Sequence, residues 1–149
     1  MGRSMREPVY KCVANDLELN GAYEVRRQVF VEEQGIPESL VFSGEGSDEE
    51  MNVVVKDGES VIGTARVIFP AKNTAKIERM AVFKNLRYRG IGGGIISFLN
   101  GELKHRQIKQ VVLHAQYTVV EFYKSCGFKE SGEPFFEAGI KHIKMEMSY

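Results

Sequence analysis

The segment Lys76 to Leu99, KIERMAVFKNLRYRGIGGGIISFL, passes from an apolar strand pattern through a basic, glycine-rich turn into a helical pattern. Gly90, Gly92, Gly93 and Gly94 allow backbone N–H groups to converge on one concavity, and the first turn of the following helix adds unpaired donors and positive dipole. Lys84, Arg87 and Arg89 stand beside it as cations. Such a turn suits a diphosphate. A P-loop would need Lys and then Ser or Thr after its last glycine, where this chain has Ile95 and Ile96. A dinucleotide turn would need glycine at Ile95. Both alternatives fail.

The elements that position this turn are legible from periodicity. A first strand is predicted near Val9 to Val13, and Asp16 is placed as the N-cap of a helix from about Leu17 to Gln34, stopped by Gly35-Ile36-Pro37. Glu38 to Glu50 reads as an acidic surface loop with room for a short helix. Met51 to Val55 and Val61 to Phe69 form a hairpin around Asp57-Gly58 that Pro70 ends. Ala75 to Phe83 is the next strand, followed by the glycine turn and a helix from about Gly92 to His105. Gln110 to Ala115 is a short buried strand, Val119 to Ser125 a helix that Gly127 ends. Phe128 to Glu133 and Lys141 to Tyr149 close the sheet as a long-looped hairpin. The order β-α-β-β-β-α-β-α-β-β predicts a mixed α/β domain with helical crossovers.

At 149 residues the chain reads as one domain spanning 1–149, with Met1 to Ser4 read as residues added ahead of Met5. Twenty basic and twenty acidic residues cancel, so no global field favours nucleic acid or an anionic membrane, and any anion site must be local. No apolar run approaches the roughly 18 residues of a membrane span, and no secretory signal is visible. Met1-Gly2 starts like a myristoylation signal, which wants Ser or Thr where Arg6 stands. The cysteines, Cys12 and Cys126, lack the spacing of a metal or disulfide framework, so no metal is expected and a reducing, cytoplasmic setting fits.

With R-x-x-G-x-G at Arg87 to Gly92 between the fourth strand and a helix, this order resembles the GNAT superfamily of acyl-CoA-dependent N-acyltransferases. Ile77 to Val82 looks like its fourth strand and Glu121 to Phe128, EFYKSCGF, like its F-Y-x-x-x-G-F element. The run Val25 to Gln34, VRRQVFVEEQ, with Leu113-His114-Ala115-Gln116 and Gly139-Ile140-Lys141-His142, is similar to the small single-domain ElaA/YjcF-like branch. The resemblance implies a GNAT-like fold with splayed central strands, acetyl-CoA as co-substrate, a small-molecule amine as acceptor and a homodimer.

On that resemblance, the pyrophosphate of coenzyme A belongs on the amides of Arg89 to Gly94, with Arg87, Arg89 and Lys84 as phosphate partners and Tyr88 and Ile91 in the same turn. The pantetheine arm would add like a partial strand to Met80, Ala81 and Val82. Three side chains are candidates for moving protons. Glu78 stands where many members of the superfamily carry a basic carboxylate, with an ion pair to Arg66 or Arg79 as the alternative reading. Tyr123 matches the tyrosine near the leaving sulfur, and a phenol can protonate a developing thiolate. His114, near the end of the fifth strand, is the rival base. Arg26, Arg27, Glu32, Glu33, Gln34, Gln116 and His142 lie where this fold receives the acceptor. Cys126 invites a covalent route, against which stands the superfamily's direct transfer in a ternary complex.

The function expected is therefore N-acetyl transfer from acetyl-CoA to a primary amine of a small metabolite: an amino-sugar phosphate, a polyamine or an amino-acid derivative. The acidic run Glu45 to Glu50 would favour a cationic acceptor, and Arg26, Arg27 and Lys141 an anionic one. The alternative class is a CoA-binding regulatory or partner-binding module that kept the cleft without turnover.

Overall fold

The computed structural model describes residues 7–44 and 49–149. The seven expected strands are all present: β1 (Val9–Cys12), β2 (Met51–Asp57), β3 (Ser60–Ala71), β4 (Thr74–Val82), β5 (Gln110–Gln116), β6 (Lys129–Glu137) and β7 (Ile140–Ser148). They form one sheet in the order β1-β2-β3-β4-β5-β7-β6. Every neighbouring pair is antiparallel except β4 and β5, which the helix α3 (Ile91–His105) connects as a crossover. Helices α1 (Asp16–Arg26), α2 (Glu38–Val41) and α4 (Val120–Ser125) complete the fold.

Alternation along the strands divides the sheet between two faces. Val53, Val55, Ala65, Val67, Ile77, Leu113 and Met145 meet Ile95, Leu99 and Leu103 of α3 in the main core, with Met80, Phe83, Phe98 and Phe122 packed against it as apolar filling. A smaller cluster of Val25, Val29 and Ala81 fixes α1 to the other face.

Three local expectations are corrected. The N-cap of α1 is Asn15, not Asp16: its side chain accepts from the Glu18 N–H at 2.9 Å. The long first helix is α-helical only to Arg26 and continues as a π-helix from Arg27 to Glu33. The β6–β7 connection is a tight turn, not a long loop. Ala138 and Gly139 both take positive φ, 52° and 75°, as a two-residue I′ turn requires. Pro134, which has no N–H to donate, lies in the irregular stretch between Ser131 and Phe135, where the slipped ladder asks none of it.

Gly94 lets α3 pack directly on the side chain of Tyr10 from β1. A Cβ there would lie 2.0 Å from the Tyr10 hydroxyl and 2.3 Å from its Cζ. Gly94→Ala should therefore destabilise the fold by about 1–3 kcal/mol, and Tyr10→Leu in the same chain should recover part of that loss in denaturant titration; strictly additive losses would show that the two do not compete for space.

Glu18 is a buried carboxylate held by Lys11 at 2.6 Å, the Ala14 N–H at 2.8 Å and Lys56 at 3.3 Å, and these bonds, led by that to Lys11, lower its pKa to about 2. Its folded value lies below the unfolded value of about 4.3, so its contribution is present above that pH and is lost as the pH falls toward 2. Glu18→Gln should flatten the fall in stability between about pH 5 and pH 2 measured by thermal unfolding; an unchanged slope would remove Glu18 from the acid response.

Candidate active site

The parallel β4–β5 ladder runs only from Thr74 opposite Gln110 to Ile77 opposite Leu113. Beyond it β4 stays with β3 as far as Val82, while β5 stays with β7 as far as Gln116. The two central strands thus splay, as expected. A bulge accompanies the separation: Thr64 pairs with Ala81 and Arg66 with Glu78, so three residues of β3 face four of β4. Arg79 takes φ 52°, a left-handed conformation costly for a non-glycine residue, and its Nε donates to the Val41 carbonyl at 2.9 Å at the end of α2. Among the described residues, the β4 edge from Glu78 to Val82 has no strand partner on the β5 side.

Glu78 and His114 are the first residues past the last paired positions. Because Ile77 and Leu113 point into the main core, Glu78 and His114 project from the opposite face, that of α1. Tyr123 packs against the main core, and its hydroxyl donates to the Met80 sulfur at 3.9 Å, a weak acceptor. The splay is therefore flanked by a phenol on one face and by a carboxylate and an imidazole on the other. Desolvation, with the nearby Cys126 as a smaller cause, pushes the Tyr123 hydroxyl pKa above the usual phenol value.

Glu78 is engaged at both oxygens. Oε1 accepts from Arg66 Nη1 at 2.8 Å and Oε2 faces Lys76 Nζ at 3.1 Å. Arg66 is buried between Glu78 and Glu50 and also donates to the Gly44 carbonyl. The ion pair considered from sequence is thus present, with Arg66 as partner; Arg79 has gone to α2. His114 has its Nδ1 3.2 Å from Glu137 Oε1 and its ring edge-on to Phe135. Glu137 did not emerge from the sequence, because the long loop predicted between β6 and β7 hid its place beside β5. Gly139 before an apolar strand was the available signal.

The glycine turn is built nearly as the sequence implies. A 3₁₀ turn (Lys84–Leu86) leads to Tyr88, exposed at φ 65°, and then to Gly90, which caps α3 at φ 80° with no side chain satisfying the helix end. The N–H groups of Gly90, Ile91, Gly92 and Gly93 are those an α-helix leaves without an internal acceptor. Gly94 is not among them, since its N–H donates to the Gly90 carbonyl at 2.9 Å; its place is against Tyr10. A Cβ on Gly92 would come within 3.1 Å of Phe122 and 3.5 Å of Met80, so the first turn lies close to the residues beside Tyr123. Lys84 and Arg89 are exposed. Arg87 is not free for a phosphate as it stands: it makes a bidentate pair with Glu33 at 2.6 and 2.7 Å and donates from Nε to the Val82 carbonyl at 3.0 Å.

The residues assigned to the acceptor side separate. Arg26 is fully buried, donates to Asn52 Oδ1 at 2.6 Å and lies over the Tyr23 ring, so it is part of the α1–sheet packing and not a surface contact. Arg27 pairs with Glu24 and with Glu32, the latter at 2.7 Å. Glu32 and Glu33 stand on the rim of a groove of about 830 Å³ between the π-helix and the turn after β4, with Val29 and Phe83 also in its wall. Gln34 Oε1 accepts from Gln116 Nε2 at 2.8 Å, joining the end of the π-helix to the end of β5. His142, opposite Gln116 in the ladder, is nearly buried and stacks on Phe135. Of the acidic run Glu45 to Glu50, residues 45–48 lie outside the described residues, and Glu50 is paired with Arg66. Burial pushes the Cys126 thiol upward, against thiolate formation. Among the described residues no cluster could hold a metal ion, and no helix is long and apolar enough to cross a membrane.

An acetyltransferase (GNAT) domain model matches residues 13–149. The N-acetyltransferase YjcF of Bacillus subtilis, itself uncharacterized, is 35% identical over 132 residues, covering 88% of this chain and 93% of that protein. The crystal structure of Escherichia coli ElaA superposes with a TM-score of 0.83 at 23% identity, over 94% of this chain and 99% of that one. An aminoglycoside 6′-N-acetyltransferase solved with coenzyme A superposes with a TM-score of 0.78 at 16% identity, over 94% and 96%. With a splayed β4–β5 pair, an open helix N-terminus after β4 and a family match over nearly its whole length, the chain belongs to the GNAT family of acetyltransferases.

Proposed function

We propose that the protein moves the acetyl group of acetyl-CoA directly onto a primary amine of a small metabolite, both bound at once in the β4–β5 splay. The observation that carries this reading is the Tyr123 hydroxyl, whose hydrogen-bond partner among the described residues is the sulfur of Met80, on the stretch of β4 that has left β5. The cradle fits coenzyme A: four N–H groups from Gly90 to Gly93 face outward at an uncapped helix end, Arg89 and Lys84 stand beside them, and the Met80 to Val82 edge of β4 lacks a strand partner. Bound there, acetyl-CoA supplies the activated thioester.

The residues of the chain handle protons. His114 takes one proton from the acceptor ammonium on its Nε2, leaving a neutral amine. The amine nitrogen forms a bond to the acetyl carbon, the carbon–sulfur bond breaks, and sulfur keeps the electron pair. Tyr123 gives its proton to that sulfur, and the surplus proton on the new amide nitrogen restores the phenol through solvent. Desolvation keeps Tyr123 protonated until it is needed and equally makes a developing thiolate a stronger acceptor. Glu78 is the weaker candidate for the base, since both its oxygens already serve Arg66 and Lys76. Its place is to hold that charged group at the opening.

Thiol release from acetyl-CoA, measured with glucosamine 6-phosphate, spermidine and lysine methyl ester, tests the reading across the three acceptor classes. At least one amine should accelerate release; binding of coenzyme A with no amine-dependent release from any of them counts against it. With the best of the three, Tyr123→Phe should lower kcat by about a hundredfold or more while the KM for acetyl-CoA stays within a few-fold. Equal turnover would sink the acid role. His114→Asn should lose at least about a hundredfold in kcat, whereas Glu78→Gln should lose less than about tenfold and show its main effect as a lower Tm. The reverse ranking would return the base to Glu78.

A further inference from the structure

Glu137 ends β6 at the tip of the tight hairpin and reaches two histidines on the same face of the sheet. Its Oε1 lies 3.2 Å from His114 Nδ1 and its Oε2 lies 3.8 Å from His142 Nε2. Phe135, two residues earlier on the same strand, meets both rings, edge-on to His114 with centroids 4.9 Å apart and stacked on His142 at 5.9 Å. A third contact fixes the arrangement: His142 Nδ1 lies 2.7 Å from the Ile140 carbonyl, which can only accept, so the proton of neutral His142 is on Nδ1. Its Nε2 therefore faces Glu137, and any proton gained there completes an ion pair.

The same logic applies to His114. A carboxylate opposite Nδ1 can only accept, so neutral His114 carries its proton on Nδ1 and keeps the lone pair on Nε2. This is the tautomer a proton acceptor needs when it is steered from behind by a carboxylate, and the imidazolium formed on protonation would lie beside a negative charge. The other charged groups around His114 do not duplicate the contact. Lys144 faces it across the β5–β7 ladder as a cation, and Glu78, across the splay, is committed to Arg66 and Lys76. The hairpin is what makes the contact: with Ala138 and Gly139 both at positive φ, β6 turns back at once and Glu137 stays level with the end of β5.

We propose that Glu137 is a positioning residue of this acetyltransferase, holding His114 in the Nδ1–H tautomer so that Nε2 is presented as the proton acceptor at the opening of the splay, with His142 and Phe135 fixing Glu137 and the His114 ring in turn. The proposal rests on the reading of His114 as the base, and its test separates the two. Ring nitrogen NMR at about pH 9, where histidines are neutral, reads the tautomer with no acceptor present, and the chain has only three histidines to assign. His114 should show the Nδ1–H form in the parent protein, shift toward the Nε2–H form in Glu137→Ala, and keep the Nδ1–H form in Glu137→Gln, whose carbonyl oxygen still accepts. With the best amine of the panel, Glu137→Ala should lose on the order of a hundredfold in kcat with the KM for acetyl-CoA unchanged, and Glu137→Gln should regain most of it. An unaltered tautomer in Glu137→Ala overturns the proposal. A shifted tautomer with unaltered kcat also overturns it when His114→Asn is inactive, because the base then works without its orienter. If kcat is unaltered in both Glu137→Ala and His114→Asn, the base reading fails and the contact is structural.

Discussion

One extra residue in β4 governs the working end of this molecule. The bulge at Arg79 lets three residues of β3 face four of β4, and β4 keeps company with β3 at the point where it leaves β5. An unstrained strand would continue the parallel ladder and close the opening with its own hydrogen bonds. The left-handed backbone of Arg79 opposes the bulge, at a cost of order 1–3 kcal/mol, and the guanidinium offsets part of that by reaching the carbonyls that α2 leaves exposed at its C-terminus. One residue thus shapes the strand and anchors the short helix next to it.

The bulge also distributes the chemistry. Before it, Glu78 projects toward α1; after it, Met80 projects toward the main core and touches Tyr123. In the proposed mechanism a substrate in the opening meets a proton donor on one side and groups that hold or take protons on the other. The α1 face is dense in charge, and three of its arginines are compensated within the fold: Arg66 between Glu50 and Glu78, Arg27 between Glu24 and Glu32, Arg87 on Glu33. Removing Arg66 would take from Glu50 and Glu78 the cation they share, which is far costlier than losing an exposed pair.

The sequence was most readable where local chemistry decides local structure. All seven strands, the hairpin at Asp57-Gly58 and the glycine turn follow from alternation and from residues that only certain backbones tolerate. It was least readable where tertiary contacts choose between local options. Asn15 and Asp16 are equally good caps on paper, and the reach of Glu18 to Lys11, Lys56 and Ala14 chose Asn15. Arg26 and Arg27 look alike as exposed cations of a helix, yet one turns inward to Asn52 and Tyr23. Arg87 has the residue type and spacing of a phosphate ligand, but Glu33, distant in sequence, holds it. Ala138 at positive φ runs against its own preference, so the tight hairpin, and with it Glu137, was invisible to a propensity argument.

The π-helix from Arg27 to Glu33 has a consequence of its own. A π-helical segment amounts to one residue inserted into an α-helix, and it changes which side chains share a face. Arg27 and Glu32, five positions apart, meet across it, while Glu33 reaches the β4–α3 turn and Gln34 reaches β5. Winding the same seven residues as an ordinary α-helix would turn Glu33 and Gln34 away from Arg87 and Gln116, whereas losing one residue along with the wider winding would leave them in phase. The two clamps that tie the first helix to opposite arms of the splay are thus set together by the winding of one segment and cannot be adjusted separately.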